Sequence, residues 1–182
     1  MRGKVVLVTG ATAGIGEACA EAFAAAGALV AFCGRRAARV EALAARLRAD
    51  HGAEVHGFVL DVRDRKAVDR AIAGLPPAFA AADVLVNNAG LSRGLDPLQS
   101  GSHLDWEEMI DTNVKGLLWV SRAVLPGMVE RGRGQVINIG SIAGHQVYPG
   151  GNVYCASKHA VDALTAGMRI DLNAAGIRVS TV

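Results

Sequence analysis

Tyr154 and Lys158 are the two residues whose types and spacing most directly suggest chemistry. They stand four positions apart in a segment that we predict to be helical, so their side chains share one face of the helix. A lysine cation beside a tyrosine hydroxyl favours the ionised phenol. Lowering a tyrosine pKa from about 10 by roughly three units requires about 4 kcal/mol of preferential stabilisation of the phenolate. The pair predicts an acid/base site, and a core tyrosine beside a solvated lysine is the alternative.

A glycine-rich segment near the start of the chain suggests a second kind of site. Residues 9–16 read TGATAGIG, follow the apolar run Lys4–Val8 and lead into apolar residues at helical spacing. A strand, a glycine-rich turn and a helix in that order form a phosphate site, because glycine lets the backbone approach the ligand and the helix N-terminus offers free N–H groups. The spacing is G-x-x-x-G-x-G rather than G-x-G-x-x-G, and tight packing alone is the alternative interpretation.

The segments that must position these residues alternate between strand and helix. The predicted strands are nearly continuous apolar runs, as expected for strands buried on both faces. They are Lys4–Val8, Leu29–Cys33, Glu54–Leu60, Asp83–Val86, Gln135–Ile139 and Ile177–Val182. Helical patterns between them predict an α/β fold with a doubly wound parallel sheet. The helix after the fourth strand is expected to begin near Asp105 and to kink at Pro126.

Composition excludes several classes of protein. The chain has 182 residues, 51% of them hydrophobic, and a formal net charge of +2. That length suits one domain, 1–182, and the near-neutral charge gives no case for nucleic acid or a membrane surface as partner. Three cysteines without metal-ligand spacing, and no room for a signal peptide before the first strand, favour a cytoplasmic protein. The five histidines also lack ligand spacing, so no metal is expected.

Five motifs together resemble the short-chain dehydrogenase/reductase family. They are the Thr9–Gly16 turn, Asn87-Asn88-Ala89-Gly90, Asn113, Ser141 and Tyr154-x-x-x-Lys158, which stand in the family's order and spacing over residues 4–182. The resemblance implies a Rossmann-type single domain and an oxidoreductase. Family members usually continue for some tens of residues with a Pro-Gly turn, a substrate-covering segment and a last strand. We therefore expect the chain to be incomplete at its C-terminus.

The resemblance also implies how a dinucleotide binds. The predicted cofactor contacts are Thr9, Gly10, Gly14, Ile15, Gly16, Arg35, Arg36, Asp61, Val62, Asn88, Ala89, Gly90, Tyr154 and Lys158. An NAD-preferring relative usually has an acidic residue where Gly34 stands. Here two guanidiniums follow instead, and they suit a 2′-phosphate, so NADP is the expected cofactor. Solvated arginines at the start of a helix are the alternative. Asp61 is expected to accept a hydrogen bond from the adenine amino group.

The resemblance assigns four catalytic residues. Tyr154 would be the acid/base, and Lys158 would lower its pKa and bind the nicotinamide ribose. Ser141 would steady the substrate oxygen. Asn113 would interrupt its helix locally and anchor a water that feeds protons to Lys158.

Finer similarity in three segments indicates the substrate class. The segments are Met109–Asn113, Ala123–Met128 and Gly150–Tyr154, and they resemble the NADP-dependent branch that acts on 3-hydroxy acids such as serine. The expected reaction is oxidation of a small 3-hydroxy acid or the reverse reduction. A 3-oxoacyl carrier-protein reductase or a broad carbonyl reductase is one alternative, and a non-catalytic NADPH-binding module is another. The family also implies a homo-oligomer, a dimer or tetramer.

Overall fold

The structure is a computed structural model that describes all residues, Met1–Val182. The chain contains six strands and six α-helices, with one helix in each connection except the one between the fourth and fifth strands, which has two. The strands are β1 (Val5–Val8), β2 (Leu29–Gly34), β3 (Val55–Val59), β4 (Val84–Asn87), β5 (Gly134–Asn138) and β6 (Ile177–Thr181). The helices are α1 (Gly14–Ala25), α2 (Ala37–His51), α3 (Arg65–Ala73), α4 (His103–Ile110), α5 (Leu117–Glu130) and α6 (Asn152–Leu172). All six predicted strands are present within two residues of their expected ends.

The strands form one parallel sheet in the order β3-β2-β1-β4-β5-β6. The chain builds outward from β1 to β3, then crosses back to place β4 on the other side of β1. A ligand crevice forms at such a reversal, beyond the carboxyl ends of the strands. The predicted doubly wound sheet is confirmed, and its switch point lies between β1 and β4.

Helices cover both faces of the sheet, so the strands carry apolar side chains on both sides. Along β1, Val5 and Leu7 belong to a cluster of 18 buried residues, whereas Val6 and Val8 belong to another of 15. The first cluster includes side chains of α3 and α5, and the second includes those of α1 and α2. Each fully buried valine or leucine contributes about 1.5–3 kcal/mol relative to an exposed one. The packing therefore holds the carboxyl ends of β1 and β4 rigidly in place.

The long helix after β4 begins slightly earlier than predicted and changes its hydrogen-bond pattern partway along. It begins at His103 rather than near Asp105, since Ser102 caps it by accepting a hydrogen bond from the Asp105 N–H. It also changes to a π-helix over Asp111–Gly116 before α5 continues with Pro126 inside it. A π segment carries one extra residue per turn and often lies at a functional site. The predicted local interruption at Asn113 is thus present.

None of the helices combines the length and the apolar character that crossing a lipid bilayer requires.

Candidate active site

In the turn between β1 and α1, no side chain caps the backbone N–H groups at the start of the helix. The residue that precedes α1, Ala13, supplies no capping side chain, so the first N–H groups of the helix keep their hydrogen-bonding capacity. Gly14 has φ +57°, and a Cβ atom built on it would meet nothing within 4 Å. Such a positive φ suits glycine, and the open space lets a ligand approach the backbone. A phosphate fits this cradle both sterically and electrostatically.

Hydrogen bonds from the end of β4 hold the turn from behind. The Thr9 hydroxyl accepts from the N–H groups of Asn88 at 3.1 Å and Ala89 at 3.0 Å. The Asn88 amide donates to the carbonyl oxygens of Thr9 and Gly10 at 2.9 and 3.0 Å. A Cβ atom at Gly16 would collide with the Asn88 amide and lie 2.6 Å from the Gly10 carbonyl oxygen. Thr9 and Gly16 therefore support the turn.

A cavity of about 570 Å³ runs along the carboxyl ends of the central strands. That volume is in the ordinary range for a small-molecule or cofactor site. Eleven of the predicted site residues line it, namely Gly10, Ile15, Arg35, Arg36, Asp61, Val62, Asn88, Ala89, Gly90, Tyr154 and Lys158. The other five, Thr9, Gly14, Gly16, Asn113 and Ser141, lie beside or behind its wall. Nine further residues that were not among the predicted contacts also line it, namely Thr12, Ala13, Gly34, Leu60, Leu91, Ser92, Thr112, Ile139 and Gly140.

Tyr154 and Lys158 meet at one end of this cavity, in the first turns of α6. The Lys158 Nζ atom lies 5.9 Å from the centroid of the Tyr154 ring. It donates a 2.7 Å hydrogen bond to the carbonyl oxygen of Ile139, directly after β5. Lys158 is only 7% exposed, and this burial lowers the pKa of its ammonium, with Asp162 acting in the opposite direction. A buried cation is thus fixed between the tyrosine and the end of the sheet.

Asn113 connects the π-helix to the loop after β4. It is 2% exposed, and its Oδ1 accepts from the Leu91 N–H at 2.8 Å. Its amide donates to the Leu91 carbonyl oxygen at 2.8 Å and to the Ser157 hydroxyl at 3.0 Å. The side chain therefore joins the loop to α6, with both of its amide N–H donors in use.

Ser141 lies three residues beyond the end of β5. Its hydroxyl accepts from the Ala143 N–H at 3.1 Å and caps the short 3₁₀ helix Ile142–Gly144. The last residue of β5, Asn138, has its side chain buried, where it bonds with Asn87 and Thr165. As a hydroxyl that accepts through oxygen, Ser141 keeps its proton for another acceptor.

The opposite end of the cavity carries the two arginines. Arg35 and Arg36 both line it, directly after β2. A Cβ atom at Gly34 would lie 2.5 Å from the Thr12 Cγ2 atom, so the neighbouring turn leaves no room for a side chain there. Any side chain at that position would require Thr12 to move.

Asp61 is engaged by a residue that sequence reasoning missed. Arg63 donates to both carboxylate oxygens, with Nη2 at 2.6 Å from Oδ2 and Nε at 3.0 Å from each oxygen. Partial burial raises the pKa of Asp61, but the bonds from Arg63 outweigh it and leave that pKa below its usual value. The expected contact with an adenine amino group would have to compete with Arg63. The signal was present in the sequence, since the arginine follows the aspartate by two positions.

Glu108 was also missed, and the sequence gives no local signal for it. This residue of α4 lies beside the arginine end of the cavity and accepts a 3.1 Å bond from Arg35 Nη1.

No three His, Cys, Asp or Glu side chains come together as metal ligands would. Two of the three cysteines, Cys33 and Cys155, are buried, and all three are free thiols.

Comparison with known proteins identifies the family. Residues 4–182 match the family described as short chain dehydrogenase. The chain is 51% identical to NADP-dependent 3-hydroxy acid dehydrogenase YdfG of Salmonella typhi over 178 residues, which are 98% of this chain and 70% of that protein. It is 45% identical to serine 3-dehydrogenase of Rhizobium radiobacter, with 97% of this chain and 69% of that protein covered.

The fold comparison agrees. The closed form of serine dehydrogenase complexed with NADP⁺ superposes with a TM-score of 0.92 at 47% identity, covering 97% of this chain and 70% of that chain. The expectation of NADP as cofactor is confirmed by these relatives. One of them is NADP-dependent, and another was solved in complex with NADP⁺. The expected family and enzyme class are confirmed: the chain belongs to the short-chain dehydrogenases, which are oxidoreductases acting on CH–OH groups.

Proposed function

We propose that this protein oxidises the hydroxyl group of a small 3-hydroxy acid with NADP⁺, or reduces the matching 3-oxo acid with NADPH. One observation carries the proposal. A single cavity has the Tyr154–Lys158 pair at one end and Arg35 with Arg36 at the other. The relatives named above, one acting on 3-hydroxy acids and one on serine, support the substrate class.

The residues present fit NADP as the cofactor. The open turn at Gly14 and the N-terminus of α1 would hold the pyrophosphate. Arg35 and Arg36 would pair with the 2′-phosphate, because guanidinium groups bind phosphate with several parallel hydrogen bonds. Lys158 would bind the nicotinamide ribose. When bound, the nicotinamide ring supplies the two-electron redox partner of the reaction.

The acid/base chemistry is assigned to the chain's own side chains. In oxidation the Tyr154 phenolate takes the proton of the substrate hydroxyl, and in reduction the phenol returns it. The Lys158 ammonium stabilises the phenolate electrostatically. The Ser141 hydroxyl donates to the substrate oxygen, and Asn113 anchors a water that relays protons to Lys158.

The proposal extends to location and assembly. Three free cysteines are compatible with a reducing, cytoplasmic compartment.

A homo-oligomer is supported by exposed apolar side chains on long helices, of which Ile170 on α6 is 80% exposed and Val129 on α5 is 45% exposed. Sedimentation equilibrium would test the assembly, and a purely monomeric protein at micromolar concentration would contradict it.

Two measurements test the function. Titration with NADPH and with NADH, followed by nicotinamide fluorescence, should show much tighter binding of NADPH. Initial rates with NADP⁺ and L-serine, 3-hydroxyisobutyrate or, in reverse, acetoacetyl thioesters should favour a hydroxy acid. A preference for the thioesters would support an acyl carrier-protein reductase instead. Cofactor binding without turnover of any of these would support a non-catalytic module.

A further inference from the structure

Glu108 is the common acceptor of three arginines that come from three different loops. Arg35 follows β2, Arg63 follows β3 and Arg93 follows β4. Their distances to the Glu108 carboxylate are 3.1 Å for Arg35 Nη1, 3.3 Å for Arg63 Nη1 and 3.1 Å for Arg93 Nε. One side chain of α4 therefore joins the ends of three strands that border the cofactor cavity.

The charge balance between the three arginines and their acidic partners depends on Glu108. Three guanidiniums face two carboxylates, those of Glu108 and Asp61, which leaves one positive charge in excess. The side chain of Glu108 is 20% exposed. Partial burial raises its pKa, yet bonds from Arg35 and Arg93 outweigh that effect and hold the pKa below its usual value. Glu108 is thus ionised at neutral pH, and without it the three cations would repel one another.

Arg35 is the only one of the three arginines that lines the cavity. Its bond to Glu108 uses one of the five guanidinium N–H donors, so most of the head group stays available to an anion. A free arginine side chain has high rotamer entropy, part of which is lost before ligand binding when a partner already holds it. Glu108 lies outside the cavity lining and therefore acts on a ligand through Arg35.

We propose that Glu108 is a positioning residue that orients Arg35 towards the 2′-phosphate of the dinucleotide and so sets the preference for the phosphorylated cofactor. This inference rests on the NADP binding proposed above. A surface salt bridge of no functional consequence is the competing explanation, since exposed ion pairs often contribute little. The two explanations differ in one respect. Only a positioning role makes binding of the phosphorylated dinucleotide depend on Glu108 more than binding of its unphosphorylated counterpart.

The test compares NADPH and NADH binding to the parent chain, Glu108→Gln and Glu108→Ala by fluorescence titration at about physiological ionic strength, where the long-range field of the cluster is screened. We expect both variants to raise the Kd for NADPH about tenfold, which corresponds to about 1.4 kcal/mol of binding free energy. The Kd for NADH should rise less than twofold. Glu107→Gln is the matched control, because Glu107 is the exposed neighbour on the same helix and forms no ion pair. It should leave both values unchanged.

A double-mutant cycle shows whether the effect passes through Arg35. In an Arg35→Ala background, Glu108→Gln should change the Kd for NADPH less than twofold, because the residue that it orients is gone. Thermal melting of each ligand-free variant verifies that it is folded. An unchanged or improved NADPH affinity in Glu108→Gln, or equal losses for the two dinucleotides, would overturn the inference. A parent chain that does not discriminate the two would instead overturn the cofactor assignment beneath it.

Discussion

The Lys158 ammonium lies 5.9 Å from the centre of the Tyr154 ring and is anchored by a 2.7 Å bond to the Ile139 carbonyl oxygen. The anchor belongs to the segment directly after β5, so the sheet itself fixes the position of the cation. Tyr154 and Lys158 are one helical turn apart on α6, and the cation can thus act on the phenol without a further residue between them. This relationship makes the catalytic assignment testable.

Tyr154→Phe should abolish most of the turnover while leaving cofactor binding intact. The substitution removes only the hydroxyl, and loss of a general acid/base typically lowers a rate by about 10²–10⁴-fold. Initial rates and NADPH titration measure the two effects. Tyr148→Phe is the matched control, because Tyr148 is the only other tyrosine and does not line the cavity. A Tyr154 variant with near-normal turnover would refute the assignment.

Lys158→Met should lower activity and raise stability at neutral pH. Burial lowers the pKa of Lys158, so the unfolded chain holds this proton more tightly than the folded chain does. The buried charge therefore costs stability at neutral pH, and this cost disappears as the pH rises from the lowered pKa towards the ordinary value of 10.5. Methionine, similar in length and uncharged, removes it.

Denaturant unfolding as a function of pH checks that sign. The stability gained by Lys158→Met should be largest near neutral pH and should shrink towards pH 10.5, while kcat falls at least about 100-fold at neutral pH. A gain that grows with pH would contradict the argument.

Arg35→Asp should reverse the preference between the two dinucleotides. It replaces a cation that lines the cavity by an anion that repels a 2′-phosphate, and we expect the NADPH affinity to fall by about 100-fold or more, as for loss of a charge-assisted pair. Arg39→Asp makes the same change of charge on the exposed side of α2, away from the cavity lining, and serves as control. Retention of the NADPH preference by Arg35→Asp would eliminate Arg35 as the phosphate ligand.

Gly34→Asp alone should destabilise the protein. Its Cβ atom would lie 2.5 Å from Thr12 Cγ2 and 2.8 Å from Thr12 Oγ1, and overpacking of this kind costs about 1–3 kcal/mol. Thr12→Ala removes both of those atoms and should recover at least half of the loss, which denaturant unfolding of the two single variants and the double variant would measure. Simple additivity of the two substitutions would show that Thr12 is not the obstacle.

The strands were predictable because each is buried on both faces and therefore appears as a continuous apolar run. The fifth strand ends at Asn138, one residue before its predicted end at Ile139, and the Asn138 side chain joins a buried hydrogen-bond network with Asn87 and Thr165. Because such a network joins residues that are distant in sequence, no local sequence pattern predicts it. The start of α4 at His103 depended on a serine cap that the apolar spacing did not reveal.

The site was predictable where its residues are close in sequence or belong to a motif. Tyr154 and Lys158 needed only helical spacing, and the glycine turn needed only its place between a strand and a helix. Glu108 was not predictable, because its partners Arg35, Arg63 and Arg93 come from loops that only the assembled sheet brings together. The obstacle at Gly34 also depends on tertiary structure, since Thr12 lies in a different turn.

The hydrogen bonds between Thr9 and Asn88 join residues 79 positions apart. Contacts of such long range raise the contact order and slow folding, because the intervening chain must lose its freedom before the pairing is rewarded. During synthesis, β1 and α1 leave the ribosome long before their central neighbour β4 exists. The turn between β1 and α1 is therefore completed late in folding. A dinucleotide can stabilise only those molecules in which β1 and β4 have already paired.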